Sequence, residues 1–422
     1  MMKLRPLFAA FVLSAALPFN LFSAEVSANQ VISDDTSEFI NQQDLQALRE
    51  WIATKRQVTV KQVGGDLSIS GEVRVELQKA QETKNGVKQR GPNSANPRKP
   101  TAEYDIEVNL MFDYRTDRTW TSAKIEFDNS AGSNLNIFDN ITIERAIFGG
   151  RALDGDTATI DLEVGRRNMG NVYDSKIQFG SFLDGITARY DLATDQFGDF
   201  YARFSPFLID EQRYQWGVVG EIAVLNAFNT GLYAKYSIID WKTKDLKNQL
   251  LNLQYNFVNS QWILGYKFIP GKWKKVITIY SSFLINTEAN NIALTNNTLA
   301  NKGCYAGFSI GKVRNKGDWS LDANYQYVQA QAIPIFDASG IGRGNASRIG
   351  FYTVQSNGKG EATTIATAVG KTNYQGVSIT LLYLLTDTIT IYQNYQYAVN
   401  ANKNIGPKIH YNQYELEFIY AF

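Results

Sequence analysis

From residue 64 to the end, apolar and polar residues alternate in one repeated pattern. The runs are long enough to cross a bilayer as tilted strands, which takes roughly 9–11 residues. The last run is the clearest. Tyr414, Leu416, Phe418, Tyr420 and Phe422 fall on every second position, with Gln413, Glu415 and Glu417 between them. Successive strand side chains point to opposite faces, so this stretch predicts one apolar and one mostly polar face. The same period marks Leu67, Ile69, Val73 and Val75 against Ser68, Ser70, Glu72, Arg74 and Glu76. It continues in residues 104–115, turns at Thr116–Thr119, and resumes in 121–128. Residues 78–100, rich in Lys, Asn, Gly and Pro, read as a surface loop.

Further strands are predicted at 140–149, 157–167, 185–193, 199–206, 214–225, 230–241, 249–258, 261–269, 275–286, 303–312, 318–330, 375–385, 388–399 and 411–422. Tight turns at 153–156 and 386–387 alternate with longer connections such as 286–302 and 331–373, but the alternation fades between 208 and 300. The segments come to an odd number, whereas a barrel with both ends on one side needs an even one. Either one strand has been split, or one near Arg348–Val354 has been missed. The reading settles on an all-β, antiparallel up-and-down transmembrane barrel of 16 strands, with 18 as the alternative.

Two features favour a membrane barrel over a soluble one. The polar face carries many charges, and Trp120, Trp216, Trp241, Trp262, Trp273 and Trp319 lie near predicted strand ends, where interfacial girdles place such rings. The closing strand should pair with the first, its apolar stripe facing lipid and Glu415 and Glu417 facing the lumen.

Residues before 64 differ. Lys3 and Arg5, then an apolar stretch from Leu7 to Phe22 and small residues up to Ala24 or Ala28, predict a cleaved signal peptide over 1–28. Residues 29–63 predict a short amphipathic helix, with Asp44 at its start and Leu45, Leu48 and Ile52 on one face. A spacer on the periplasmic side, an oligomer contact and a small plug all remain open for it.

Composition adds exclusions. The 422 residues hold 42 basic and 41 acidic side chains, so no global field points to nucleic acid. Cys304 is the sole cysteine, which rules out an internal disulfide. His410 is the sole histidine, and hydrolytic chemistry generally needs a histidine base held by other groups. No Cys/His/carboxylate spacing suits a metal, and no cofactor or catalytic residue is expected.

Two stretches resemble the trimeric porins of Gram-negative outer membranes. One runs from Ile143 to Gly149 and on through Ile160 to Gly165, Arg166, Arg167, Tyr173 and Asp174. The other is the terminal strand, whose Tyr420 and Phe422 are similar to the signal read by the barrel assembly machinery. Residues 107–132 are also similar to porins of environmental chlamydiae, relatives of the major outer membrane protein. The cysteine cross-linking of that protein cannot operate with Cys304 alone.

The porin resemblance implies an inward constriction loop at about 168–184, with Asp174 and Asp184 as acids facing a wall arginine, Arg166. It also implies outer-membrane location and a homotrimer. Strand parity instead points Arg167 inward, and a bulge could reconcile the two. By parity Arg189, Arg203, Lys235 and Lys267 also point inward. Ordinary solvated loop charges are the alternative for all of these. The leading expectation is a water-filled channel for passive diffusion of small hydrophilic solutes and ions. A transporter for a specific or hydrophobic ligand, with 29–63 as a hatch, is the second.

Overall fold

The computed structural model describes residues 58–62, 65–130, 140–194, 196–211, 215–242, 257–271, 274–341, 350–352 and 370–422. All belong to one compact unit, Phe39–Phe422. The signal peptide, the helix expected within 29–63 and Trp273 lie outside the described residues.

Sixteen antiparallel strands close into a barrel: β1 (Gly65–Lys84), β2 (Ala102–Arg115), β3 (Thr119–Ser130), β4 (Asn140–Asp154), β5 (Ala158–Asn168), β6 (Phe182–Thr194), β7 (Gly198–Asp210), β8 (Gln215–Ala227), β9 (Leu232–Lys242), β10 (Phe257–Phe268), β11 (Ile277–Asn286), β12 (Lys302–Ile310), β13 (Trp319–Val328), β14 (Tyr374–Leu384), β15 (Ile389–Asn400) and β16 (Ile409–Ala421). Each pairs with its sequence neighbours. The barrel shuts where β16 pairs with β1, from Ala421 opposite Glu72 to Ile409 opposite Lys84. Closure removes the unpaired strand edges that a bilayer could not satisfy.

The seam ends on a close approach. Gly71 N–H donates to the Phe422 carbonyl at 3.0 Å, and Phe422 N–H returns a bond to the Gly71 carbonyl at 2.9 Å. A Cβ at position 71 would meet the Phe422 ring at 2.6 Å, so only glycine fits beneath the terminal aromatic. Just beyond, a short strand, Val58–Gln62, takes over the same edge of β1, pairing from Val58 opposite Ile69 to Gln62 opposite Gly65.

The outer wall is apolar. Ile106, Phe148, Ile186, Phe204, Ile222, Leu264, Ile279 and Phe418 are all more than a third exposed to the surroundings. The alternate positions point inward and are largely polar, among them Glu72, Arg74, Ser205, Gln261, Asp322, Asn394 and Glu417. Tyr414, Phe418, Tyr420 and Phe422 are exposed while Glu415 and Glu417 are buried, as the sequence predicts.

Several expectations need correction. Residues 249–256 lie outside the described residues; the rest of the expected strands 249–258 and 261–269 forms one strand, β10, which runs unbroken through Asn259, Ser260 and Gln261 where a gap at 259–260 was expected. They are polar because Asn259 and Gln261 face the lumen and bind a loop there. Among the described residues the barrel strands number sixteen, an even count. Gly350–Tyr352 is not a strand. The first strand runs on to Lys84 through residues read as loop. Its inward Gln78, Ala80 and Glu82 keep the period, but the outward positions there need not be apolar. Three tryptophans depart from the girdle. Trp120 donates to Glu163 at 2.9 Å, Trp241 is buried inside the barrel, and Trp262 lies mid-strand against Tyr236. Trp216 faces outward at a strand end, 48% exposed.

Candidate functional site

The connection between β5 and β6 does not stay at the rim. After a short 3-10 turn at Met169–Asn171, residues 172–181 lie inside the barrel, with Met169, Tyr173, Ile177, Gln178 and Phe179 no more than 1% exposed. Two kinds of contact seat the loop. On its apolar side, Met169, Val172, Tyr173 and Phe179 pack on Leu183, Phe207, Val219, Ile239, Trp241 and Phe257, the inward residues of β6 to β10. Those strands are therefore apolar on both faces where the loop docks.

Polar pins complete the seat. The Arg203 guanidinium donates to the Val172 carbonyl. Tyr173 shares a hydrogen bond with Ser205 at 2.6 Å, and burial pushes its hydroxyl well above its ordinary pKa, so it stays neutral. Lys235 Nζ meets Asp174 Oδ2 at 2.9 Å. Gln261 Nε2 donates to the Asp174 carbonyl at 2.8 Å, and Ser175 Oγ donates to Gln261 Oε1 at 2.7 Å. At the far side, Lys176 Nζ reaches Asp322 Oδ1 on β13 at 3.2 Å, with both side chains buried. Tyr280 O–H donates to the other Asp322 oxygen at 2.6 Å, and its ring lies 4.9 Å from the Lys176 ammonium.

The loop thus follows the wall from β6 round to β13, and its charges are spent on that wall. Asp174, Arg203 and Lys235 come together there, with Arg203 also 3.9 Å from Glu221. Arg167 points inward and bonds Glu163 on its own strand. Arg189 points inward and pairs with Asp191 at 2.6 Å. Lys267 points inward near the turn end of β10, away from the loop. Arg166 and Asp184 are placed differently. They are cross-strand partners on the outward parity of β5 and β6, joined at 2.6 and 2.7 Å, so no bulge turns them inward. Parity, rather than the porin-like spacing, gives their orientation.

The opposite side of the lumen, β16 and β1 to β4, carries an acidic stripe. Arg74 is held by Glu107 at 2.8 Å, Glu72 at 3.1 Å and Glu417 at 3.2 Å. Lys124 meets Glu144 at 2.5 Å. Glu76, Glu126 and Glu415 add further inward carboxylates. The stripe was visible as inward parity in the sequence. Lys176 and Asp322, by contrast, carried no signal, because a loop-to-wall contact 146 residues apart has no period to betray it.

Sequence reasoning also missed the second inward segment, residues 329–341 between β13 and β14. Ala332, Ile333, Ala338 and Ile341 there are buried to 2% or less. At the mouth, residues 287–301, 350–352 and 401–408 meet through buried Ala300, Tyr352 and Ile405, with Tyr352 O–H donating to the Leu294 carbonyl at 2.8 Å.

A closed antiparallel barrel with an apolar outer wall, a polar lumen and loops drawn inside has the architecture of a transmembrane channel. No family model and no curated protein matches the sequence. Solved structures resemble the fold. Salmonella typhi OmpF in complex with daunomycin aligns over 86% of this chain and 100% of its own, at 12% identity and a TM-score of 0.50. Pseudomonas putida OprB at high pH aligns over 90% and 97%, at 11% identity and 0.49. The outer membrane channel DcaP of Acinetobacter baumannii aligns over 86% and 99%, at 13% identity and 0.48. At such identities the OmpF match speaks to the fold. The matches lend no support to the narrower likeness of residues 107–132 to chlamydial porins.

Proposed function

We propose that the chain is an outer-membrane porin, a water-filled channel for passive diffusion of small hydrophilic solutes and ions. The observation that carries this reading is the loop of residues 169–181 clamped inside a closed 16-stranded barrel, which narrows the lumen while leaving the acidic side beside the path. The apolar outer wall suits lipid, and no chemical step is needed. Export through a cleaved signal peptide, recognition of β16 by the assembly machinery at Tyr420 and Phe422, and a homotrimer complete the reading by resemblance to porins.

The path favours cations. Asp174, Lys176, Arg203 and Lys235 are taken up in pairs with the wall, whereas carboxylates exceed bases on β16 and β1 to β4. Charges within about one Debye length of the path, ~10 Å at 0.1 M salt, act on a passing ion. Purified protein in a planar bilayer should give stepwise ohmic currents and, in a salt gradient, a cation-selective reversal potential. Glu107→Gln with Glu144→Gln removes negative charge from the more accessible part of the stripe, so the reversal potential should move toward zero. An unchanged potential in that variant would remove the stripe from the account, and the absence of any steps in the unaltered protein would remove the channel.

A second reading, a transporter with residues 29–63 as a hatch, has one observation in its favour. Leu382, Leu384, Tyr392, Ile419 and Ala421 form an inward apolar cluster with Val313, an odd lining for a purely aqueous lumen.

A further inference from the structure

Residues 329–341 leave β13 and run inward rather than outward. Gln329 N–H donates to the Lys302 carbonyl at 2.9 Å and Gln331 N–H to the Ala300 carbonyl at 2.6 Å, tying the segment's start to the approach to β12. Beyond that it lies against the first loop. Ser339 N–H donates to the Ile177 carbonyl at 3.0 Å, and Ser339 Oγ donates to the Gln178 carbonyl at 2.7 Å. Gly180 N–H donates to the Asp337 carbonyl at 2.9 Å, and Ser181 Oγ to the Phe336 carbonyl at 3.1 Å. As the first loop advances from 177 to 181 its partners fall from 339 to 336, so the two segments run antiparallel, like a short ribbon.

Both ends of this ribbon are held. At one, the Phe336 ring packs edge-on against Trp241 of β9, with centroids 4.8 Å apart. At the other, Gln326 Oε1 accepts from Ile341 N–H at 3.1 Å and from Tyr374 O–H at 3.0 Å. A Cβ at Gly340 would lie 1.9 Å from the Tyr374 oxygen, so the chain is pressed onto β14 there. The segment therefore bridges from β13 to β9 across the loop side of the lumen.

We infer that residues 329–341 are a second constriction element, zipped to residues 169–181, and that the pore's size limit is set by the two acting as one rigid shelf. The inference rests on the channel reading. A loop held by side-chain pins alone can swing. One bonded backbone to backbone along a partner, which is itself buried on the wall, cannot move without breaking several bonds together. The side chains this element leaves partly or fully accessible, Gln329, Ile335, Phe336 and Ser339, carry no charge. It should restrict cross-section for neutral and charged solutes alike and leave ion selectivity to the acidic wall.

Ser339→Pro removes the backbone donor and the hydroxyl at once, and deletion of residues 332–340 removes the element. Both variants should raise single-channel conductance in planar bilayers and admit larger neutral sugars into liposomes, with the reversal potential unchanged. If the unaltered protein gives steps and both variants keep its conductance and sugar cutoff, the inference is overturned. Absent steps in the unaltered protein would instead defeat the channel reading. Should both variants fail to fold, Ser181→Cys with Phe336→Cys in a Cys304→Ser background decides the matter. A cross-link that forms under mild oxidant and leaves conductance unchanged supports a fixed shelf, and absence of a cross-link in folded protein overturns it.

Discussion

Lys176 shows what a single side chain contributes to the constriction. Its ammonium and the Asp322 carboxylate are both buried, at 2% and 0% side-chain exposure. Such a pair gives little net stability over an apolar replacement, because both charges must be desolvated. Removing one partner is different: the survivor stays buried without its counter-charge, at a cost of about 3–5 kcal/mol. Lys176→Met should therefore loosen the loop from β13, with noisier and larger channel currents. Lys176→Met combined with Asp322→Leu should return much of the lost order, since no charge is then stranded. Equal noise in the single and double variants would show that the pair does not position the loop. The Asp174–Lys235 contact follows the same logic on the nearer wall, at 2.9 Å.

Among the strands, β16 states its role most openly. Its apolar positions face outward and its partner is β1, so the seam follows from two alternating sequences at opposite ends of the chain. Phe418 is 41% exposed on the lipid side. A charge on that face costs about 2–4 kcal/mol near the bilayer midplane and much less near the interfaces. Phe418→Arg should lower the urea midpoint of the folded barrel in lipid by a corresponding amount. Gln413→Arg, on the lumen side, should not. Equal midpoints would mean that Phe418 does not face lipid. The rest of the fold was legible wherever one face meets lipid and the other water. At β8 and β9 the expected strands 214–225 and 230–241 fall close to the observed bounds, yet what their inner faces do was not legible. Val219, Ile239, Trp241 and Phe257 face inward yet are apolar, because the loop rather than water covers them. Asn259 and Gln261 are polar mid-strand because they bond the same loop. The inner face is therefore apolar or bonded to the loop where the candidate site is built, and the break expected at 259–260 falls there. The clamp residues of the loop and the whole of 329–341 stayed hidden, since contacts between distant loops leave no period.

For the whole molecule the open question is what else the lumen holds. The strand Val58–Gln62 hangs on the edge of β1 directly below Phe422, so Val58 lies beside the end of β16. The inward apolar cluster of Leu382, Leu384, Tyr392, Ile419 and Ala421 lies on β14 to β16, at the same end of the barrel. Its residues are no more than 2% exposed, and an apolar partner that extended this packing would gain roughly 25 cal/mol for each Å² it buried. The stripe of Leu45, Leu48 and Ile52 has the right character and a tether of the right origin. Deleting residues 29–57 separates the two functional readings. A porin with a spacer keeps its steps at the same size. A hatch transporter conducts only after the deletion, or far more strongly, and adding the segment back as a peptide should then suppress the current. Steps that survive the deletion unchanged would leave the inward apolar cluster as a packing feature of the barrel end and confine control of the pore to the shelf formed by the two inward loops.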